Sequence, residues 1–343
     1  MTELRFWSCS IALVAAAGLL AGCHDSEASR EKASGEHARP IELHLDYATY
    51  NPSSLVLRHE HWLEDELAKE GVAVRWVESK GSNKANELLA SGSADIVSTA
   101  GAAALLARAN GVPTKIVYVY SKPEWVALVV GEHSSITKVA DLKGKKVAAT
   151  RGTDAFFFLL RSLEAAGLDQ HDIELVHLQH SDGRLALSRG DVDAWAGLDP
   201  FMASAELREH AKLIYRNIDF NSFGTLDVRA DFLAKYPEVV QRVIAGYERA
   251  RTWIQAHPDQ AAELLAAEAK LDTDVAAKQL TERTVLDRDV GIPGPALHKA
   301  LAAVAPILVR EKLVNAGADP DKALAELIDP SAARAVIHEA ARP

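Results

Sequence analysis

The sequence predicts an α/β protein built as a two-lobed clamp with a helical tail. Three observations carry this. Short strand-type runs alternate with helix-type runs from Ile41 onward, the pattern of a largely parallel sheet covered by helices. That rhythm breaks near Tyr120-Ser121-Lys122-Pro123 and again over Asn217–Thr225, so the chain would cross twice between two α/β sections. After Val228 only helical patterns remain, punctuated by Pro237, Pro258 and Gly291-Ile292-Pro293-Gly294. The expected lobes are residues 41–120 with 224–343, and residues 121–223.

Each element follows from local pattern. Ile41–Leu45 alternates apolar and polar residues and reads as the first strand. Asn51-Pro52-Ser53-Ser54 opens a helix with Leu55, Trp62, Leu63 and Leu67 near one face, and Gly71 ends it. Val72–Val77 is a strand, Asn83–Ala90 a helix, and Ala94–Val97 a strand. The turn Ser98-Thr99-Ala100-Gly101 leads to the helix Ala102–Ala109, and the strand Ile116–Val119 follows. Beyond the first break, Trp125–Val130 is a strand. A basic turn at Lys143–Lys146 precedes the apolar run Val147–Ala149, then Thr150-Arg151-Gly152-Thr153-Asp154 and a helix stopped by Gly167. Phe156, Phe157 and Phe158 span three helical directions, so they cannot all face one core, which leaves one for the cleft. Ile173–Leu178 is a strand, His180–Gly183 a turn, and Arg184–Ser188 a helix. Val192–Ala196 is a strand, Leu198-Asp199-Pro200-Phe201 opens a helix, and Leu213–Tyr215 is the last strand of this section. Asp231–His257, Asp259–Lys270, Asp272–Leu286 and Pro295–Val314 are helical.

The chain of 343 residues carries 48 acidic against 38 basic side chains. That balance, with no basic stripe interleaved with aromatics, argues against a nucleic-acid partner. It leaves room for a small anion, because local N–H groups make such sites. Residues 1–22 read as a lipoprotein signal peptide: Arg5, an apolar run from Phe6 to Leu20, then small residues. Leu20-Ala21-Gly22-Cys23 matches the bacterial lipobox, in which Cys23 receives a lipid. Residues 23–40 lack large apolar side chains and read as a flexible tether. The body is then expected in the periplasm or cell envelope, anchored to a membrane. With Cys9 in the leader and Cys23 lipidated, no intrachain disulfide and no cysteine-based metal or redox site is expected. The pairs His59/His61 and His177/His180 lack the spacing and acidic neighbours of a metal site.

Ligands of open α/β sheets sit beyond the carboxyl ends of the strands. This places Ser98 and Thr99 opposite Arg151–Asp154 and Leu198–Asp199. Gly152 allows close backbone approach, and Thr153 offers a hydroxyl and an N–H to an anion, or caps the helix. Ser53 and Ser54 bind ligand or cap the first helix. Arg151 pairs with an anionic head or is a solvated charge. Asp154 contacts a ligand ammonium or caps its helix. Trp195 walls the cleft or packs in the core. Asp199 caps the next helix and holds its turn. No G-x-S-x-G, H-E-x-x-H or Walker A sequence occurs, so no catalytic residues, cofactor or metal are expected.

Three segments resemble substrate-binding proteins of aliphatic sulfonate, taurine and nitrate ABC importers. They are VADLKGKKVAATRGTDAFFFLLRSLEAAGL, GDVDAWAGLDPFMASAE and LLASGSADIVSTAGAAALLARANG, in the family's order along the chain. The resemblance implies a periplasmic-binding-protein type II-like fold, with two α/β lobes joined by a two-segment hinge. It further implies closure on a small organic anion, delivery to an ABC permease, and action as a monomer without catalysis. Aliphatic sulfonates or taurine are the expected ligands. Nitrate, a pyrimidine or thiamine precursor, or an enzyme on the same fold are the alternatives.

The lipobox yields a first test. Cys23→Ser should release the protein from membranes or leave it unprocessed, since two or more acyl chains are needed for stable anchoring. Mass spectrometry of native material should find Cys23 acylated, and an unmodified thiol would overturn the assignment.

Overall fold

The computed structural model describes residues 42–340, so the leader, the tether and Cys23 lie outside the described residues. Ten strands build two sheets: β1 Glu42–Tyr47, β2 Ala73–Glu78, β3 Ile96–Ala100, β4 Thr114–Ser121, β5 Val126–Val130, β6 Lys146–Ala149, β7 Glu174–His177, β8 Ala194–Leu198, β9 Lys212–Tyr215 and β10 Gly224–Arg229. The first sheet runs β2-β1-β3-β10-β4 and the second β7-β6-β8-β5-β9. The two sheets share one plan. Four strands run one way, and the first strand after each crossing inserts antiparallel between the third and the fourth. The crossings are the short stretch before Trp125 and the longer one ending at Phe223.

The central strands show why the sheets form where they do. β5 is Val-Ala-Leu-Val-Val, entirely buried, as a strand covered on both faces must be. β10 departs from the expectation that Asn217–Thr225 is wholly a crossing and that strands end before Val228. Gly224–Arg229 is a central strand of the first sheet, bonded to both β3 and β4. Its Asp227 disguises it in sequence. The carboxylate is tolerated inside because Thr225 and Thr99 donate hydroxyl hydrogen bonds to it at 2.8 and 2.9 Å.

Helix ends shift for local reasons. The first helix is two, Pro52–His59 and Trp62–Ala68, broken where His61 takes a left-handed φ of 55°. Pro237 splits the long pattern into Ala230–Lys235 and Pro237–Ala256. Pro295–Ala302 and Ala305–Arg310 are separate, and Pro320–Leu327 and Ser331–Ala340 complete the tail. Phe156, Phe157 and Phe158 are all buried, contrary to the expectation that one faces the cleft. Their helix, Asp154–Ala165, packs on the second sheet and also against the helix Gly101–Ala109 that covers the first sheet. Phe158 is spent on Tyr215 and Phe220 at the second crossing.

One boundary has consequences for function. His180–Gly183 is the first turn of the helix His180–Arg189, where a turn ahead of the helix is expected from Asp182 and Gly183. Tertiary packing decides this. Gly183 lies flat on the fully buried Trp195, and a Cβ there would fall 2.6 Å from the indole Nε1. Trp195 therefore seats this helix from below and does not reach the cleft. Gly183→Val should overpack the contact and cost about 1–3 kcal/mol. A denaturation midpoint equal to wild type would contradict the seating.

Candidate functional site

A cavity of about 960 Å³ opens between the carboxyl ends of the two sheets. Thr49, Tyr50, Ser79 and Lys80 line it from the first lobe, and Gln179, His180, Ser181 and Phe201 from the second. Two ten-residue helices begin at its walls, Ser82–Ser91 and His180–Arg189. Neither has a side-chain cap, so the first N–H groups of each point outward without an in-helix acceptor. Gly81, with φ of 146°, brings the two starts together: a Cβ on it would lie 3.3 Å from the His180 ring. Two uncapped helix N-termini beside one cavity supply N–H donors fit for a small anion, in a lining that also holds Glu78, Glu87 and Asp182 against Lys80 and Lys84. Lys80, exposed at the rim, adds a full charge.

The residues expected from sequence line other parts of the seam. None of the ten candidates borders this cavity. Ser54 Oγ donates to the Asn51 carbonyl at 2.7 Å, and Asn51, rather than either serine, caps the first helix. Ser53 is buried at the same helix start. Ser98 donates both its N–H and its hydroxyl to Asp46, at 2.6 and 2.9 Å. Thr99 serves Asp227. Arg151 is exposed. Gly152 packs across the seam, where its Cβ would sit 3.7 Å from Asn83 Cβ, outside the cavity. Thr153 donates its hydroxyl to the Thr150 carbonyl at 2.7 Å and makes no side-chain cap.

Asp154 and Asp199 are structural clasps. Asp154 accepts from Trp125 Nε1 at 2.8 Å and from the Ser222 hydroxyl at 2.5 Å, tying both crossings to one helix start. Asp199 accepts the Ala203 N–H at 2.9 Å and a bond from Arg283 Nη1 at 2.6 Å. Arg283, fully buried, also pairs with Glu206, so the tail helix Thr273–Arg283 is strapped to the helix Phe201–Glu209 of the second lobe. Sequence reading missed His180, which lines the cavity, and the helix start at Ser82, which lies between the lining residues Lys80 and Lys84. The signal was present: Lys80-Gly81-Ser82-Asn83 follows a strand and opens a helix, as Arg151-Gly152-Thr153-Asp154 does.

Beneath the cavity floor lies a buried acidic layer. Asp46 receives Ser79 and Ser98, and Ser79 in turn meets the Tyr50 hydroxyl at 3.1 Å. These donors favour the carboxylate, yet burial outweighs them and pushes the Asp46 carboxyl up to about 7. Burial likewise raises Asp227 to about 7 and Asp199 to about 6, the latter against the pull of Arg283.

Comparison with known proteins agrees with this architecture. Residues 67–261 match the NMT1/THI5-like family. An aliphatic sulfonates-binding protein of Escherichia coli (strain K12) is 33% identical over 231 residues, covering 67% of this chain and 72% of that protein. One of Bacillus subtilis (strain 168) is 28% identical over 268 residues, 77% of this chain and 79% of that protein. The alkanesulfonate-binding protein SsuA of Xanthomonas axonopodis pv. citri, solved bound to MOPS, superposes with a TM-score of 0.76 at 26% identity. The superposition covers 83% of this chain and 98% of that one.

The acidic layer sets a pH dependence. Free carboxyls titrate near 4, so between about 4 and 7 the folded protein keeps protons on Asp46 and Asp227 that the unfolded chain has released. Stability should therefore fall as pH rises through this window, by up to about 1.4 kcal/mol per pH unit for each group, and level off above it. Thermal unfolding from pH 5 to 8 checks this. Asp227→Asn should flatten the slope, and an unchanged slope would show that Asp227 is ionised in the fold.

Proposed function

This chain belongs to the NMT1/THI5-like family, and we propose that it is the non-catalytic substrate-binding component of an ABC importer, capturing a small organic anion of the aliphatic sulfonate or taurine type. The observation that carries this reading is the pair of uncapped helix starts, at Ser82 and His180, facing one cavity from opposite lobes. Their N–H groups would hold the anionic head, with Lys80 adding charge at the rim. The aliphatic tail would lie toward Tyr50, Leu198 and Phe201. The two crossings then act as a hinge, so that closure buries the ligand and presents a closed body to the permease. The body would be held at the membrane by lipid on Cys23 and work as a monomer.

Among the described residues, no hydroxyl lining the cavity is hydrogen-bonded to an imidazole. The only strongly shifted imidazole lining the cavity, His180, is held neutral by burial and has no carboxylate partner among the described residues. That supports binding over turnover on this fold. Titration calorimetry should give one-to-one binding of a short-chain sulfonate, with the ligand recovered chemically unchanged and the protein more compact in solution scattering. Nitrate or a pyrimidine binding more tightly than every sulfonate would move the assignment to the alternative ligands. Lys80→Ala should weaken sulfonate binding by up to about 1 kcal/mol at low salt, an effect that shrinks as salt is added.

A further inference from the structure

We propose that the ligand carries a hydrogen-bond donor beside its anionic head, a hydroxyl or an ammonium, and that His180 Nε2 accepts from it. The inference rests on the sulfonate reading above and deepens it. The Thr150 hydroxyl lies 2.8 Å from the Leu178 carbonyl and 3.1 Å from His180 Nδ1. A carbonyl oxygen only accepts, so the hydroxyl proton goes to Leu178 and the hydroxyl oxygen must accept from Nδ1–H. A neutral imidazole has one N–H, which leaves Nε2 a bare lone pair. Burial keeps the ring neutral, pushing its pKa down to about 3.

That lone pair has no partner, although His180 is only 1% exposed. Asn83 Oδ1 is a second buried acceptor with no partner. Both converge on the side of Gly81 that lacks a side chain. A Cβ there would fall 2.9 Å from Asn83 Oδ1 and 3.3 Å from His180 Nε2. Gln179 Oε1, one residue before His180, is a third unpartnered acceptor at the cavity wall. Buried acceptors grouped without donors mark the place where a donor belongs. A sulfonate oxygen cannot supply one. A group one or two carbons from the sulfur can, because the His180 ring belongs to the same helical turn whose N–H groups face the head. Exposed acidic side chains at Glu78, Glu87 and Asp182 line the same cavity and would offset an ammonium.

The test uses the full chain and three ligands of equal length: ethanesulfonate, 2-hydroxyethanesulfonate and 2-aminoethanesulfonate. A site built to bond a donor rejects the analogue lacking it. At least one of the two donor-bearing ligands should bind ten-fold or more tighter than ethanesulfonate, and which one does separates hydroxyl from ammonium. His180→Phe should abolish the preference, whatever it does to the affinity for ethanesulfonate itself. Long-range proton–nitrogen NMR of the ligand-free wild type, which needs no variant to fold, should show His180 protonated at Nδ1 and bare at Nε2. Equal binding of all three ligands, or a proton on Nε2, overturns the inference and leaves the sulfonate reading standing. Equal binding would mean that the Asn83 amide, turned over, donates to Nε2, whereas a proton on Nε2 would mean that the ring is a donor there. No binding of any of the three overturns the sulfonate reading together with the inference.

Discussion

One carboxylate joins the whole molecule. Asp154 stands at the start of the helix Asp154–Ala165 and takes hydrogen bonds from Trp125 on the first crossing and Ser222 on the second. Ser222 then accepts the N–H groups of Gly101 and Ala102, which open the facing helix of the first lobe. A Cβ on Gly101 would sit 2.5 Å from the Ser222 carbonyl, so the approach is as close as a backbone permits. Both crossings and both lobes thus meet at one buried joint. Burial raises the Asp154 carboxyl, and the three donated bonds work against that rise. Such a joint ties the two lobes together at the side away from the cavity lining.

The arrangement around the cavity follows from that joint. Helices that open at the seam use their starts differently. At Gly101 and Ala102 the free N–H groups are consumed by Ser222. At Ser82 and His180 no side chain caps them. The difference is side-chain supply: the hinge places a hydroxyl and a carbonyl over one helix start and nothing comparable over the other two. The tail strap closes the far side. Arg283 reaches Asp199 and Glu206, while Arg208 reaches back to Asp272 and Asp274. The Arg283 contacts are buried, so removing one partner would leave an uncompensated charge inside.

The acidic layer beneath the floor gives the first sheet a polar centre. Asp46 and Asp227 flank β3 from opposite neighbours, Asp227 held by hydroxyls and Asp46 by hydroxyls and the Ser98 N–H. No cation reaches either one among the described residues, which is why burial dominates their protonation. Their donors Ser79 and Ser98 link to Tyr50 at the cavity wall, so the floor is held by the same network that positions the lining.

Much of this was legible in the chain itself. Alternating short apolar runs and capped helices announce an α/β sheet protein, because a period of two and a period near 3.6 are set by local backbone geometry. The two breaks in rhythm mark the crossings for the same reason. The three sequence segments identify the family correctly. What local pattern does not carry is which polar residue meets which. Ser98, Thr99 and Asp154 have the composition of ligand contacts, yet partners distant in sequence, at Asp46, Asp227, Trp125 and Ser222, claim them inside. β10 hides because Asp227 reads as solvent-facing until hydroxyls from β3 and from its own strand are placed beside it. The helix at His180 begins a turn early because Trp195 lies beneath Gly183, a contact twelve residues away that turn chemistry cannot register. Sequence sets the elements because their causes are local, and the tertiary structure alone decides which helix starts stay unpaired, because that depends on what the fold brings over them.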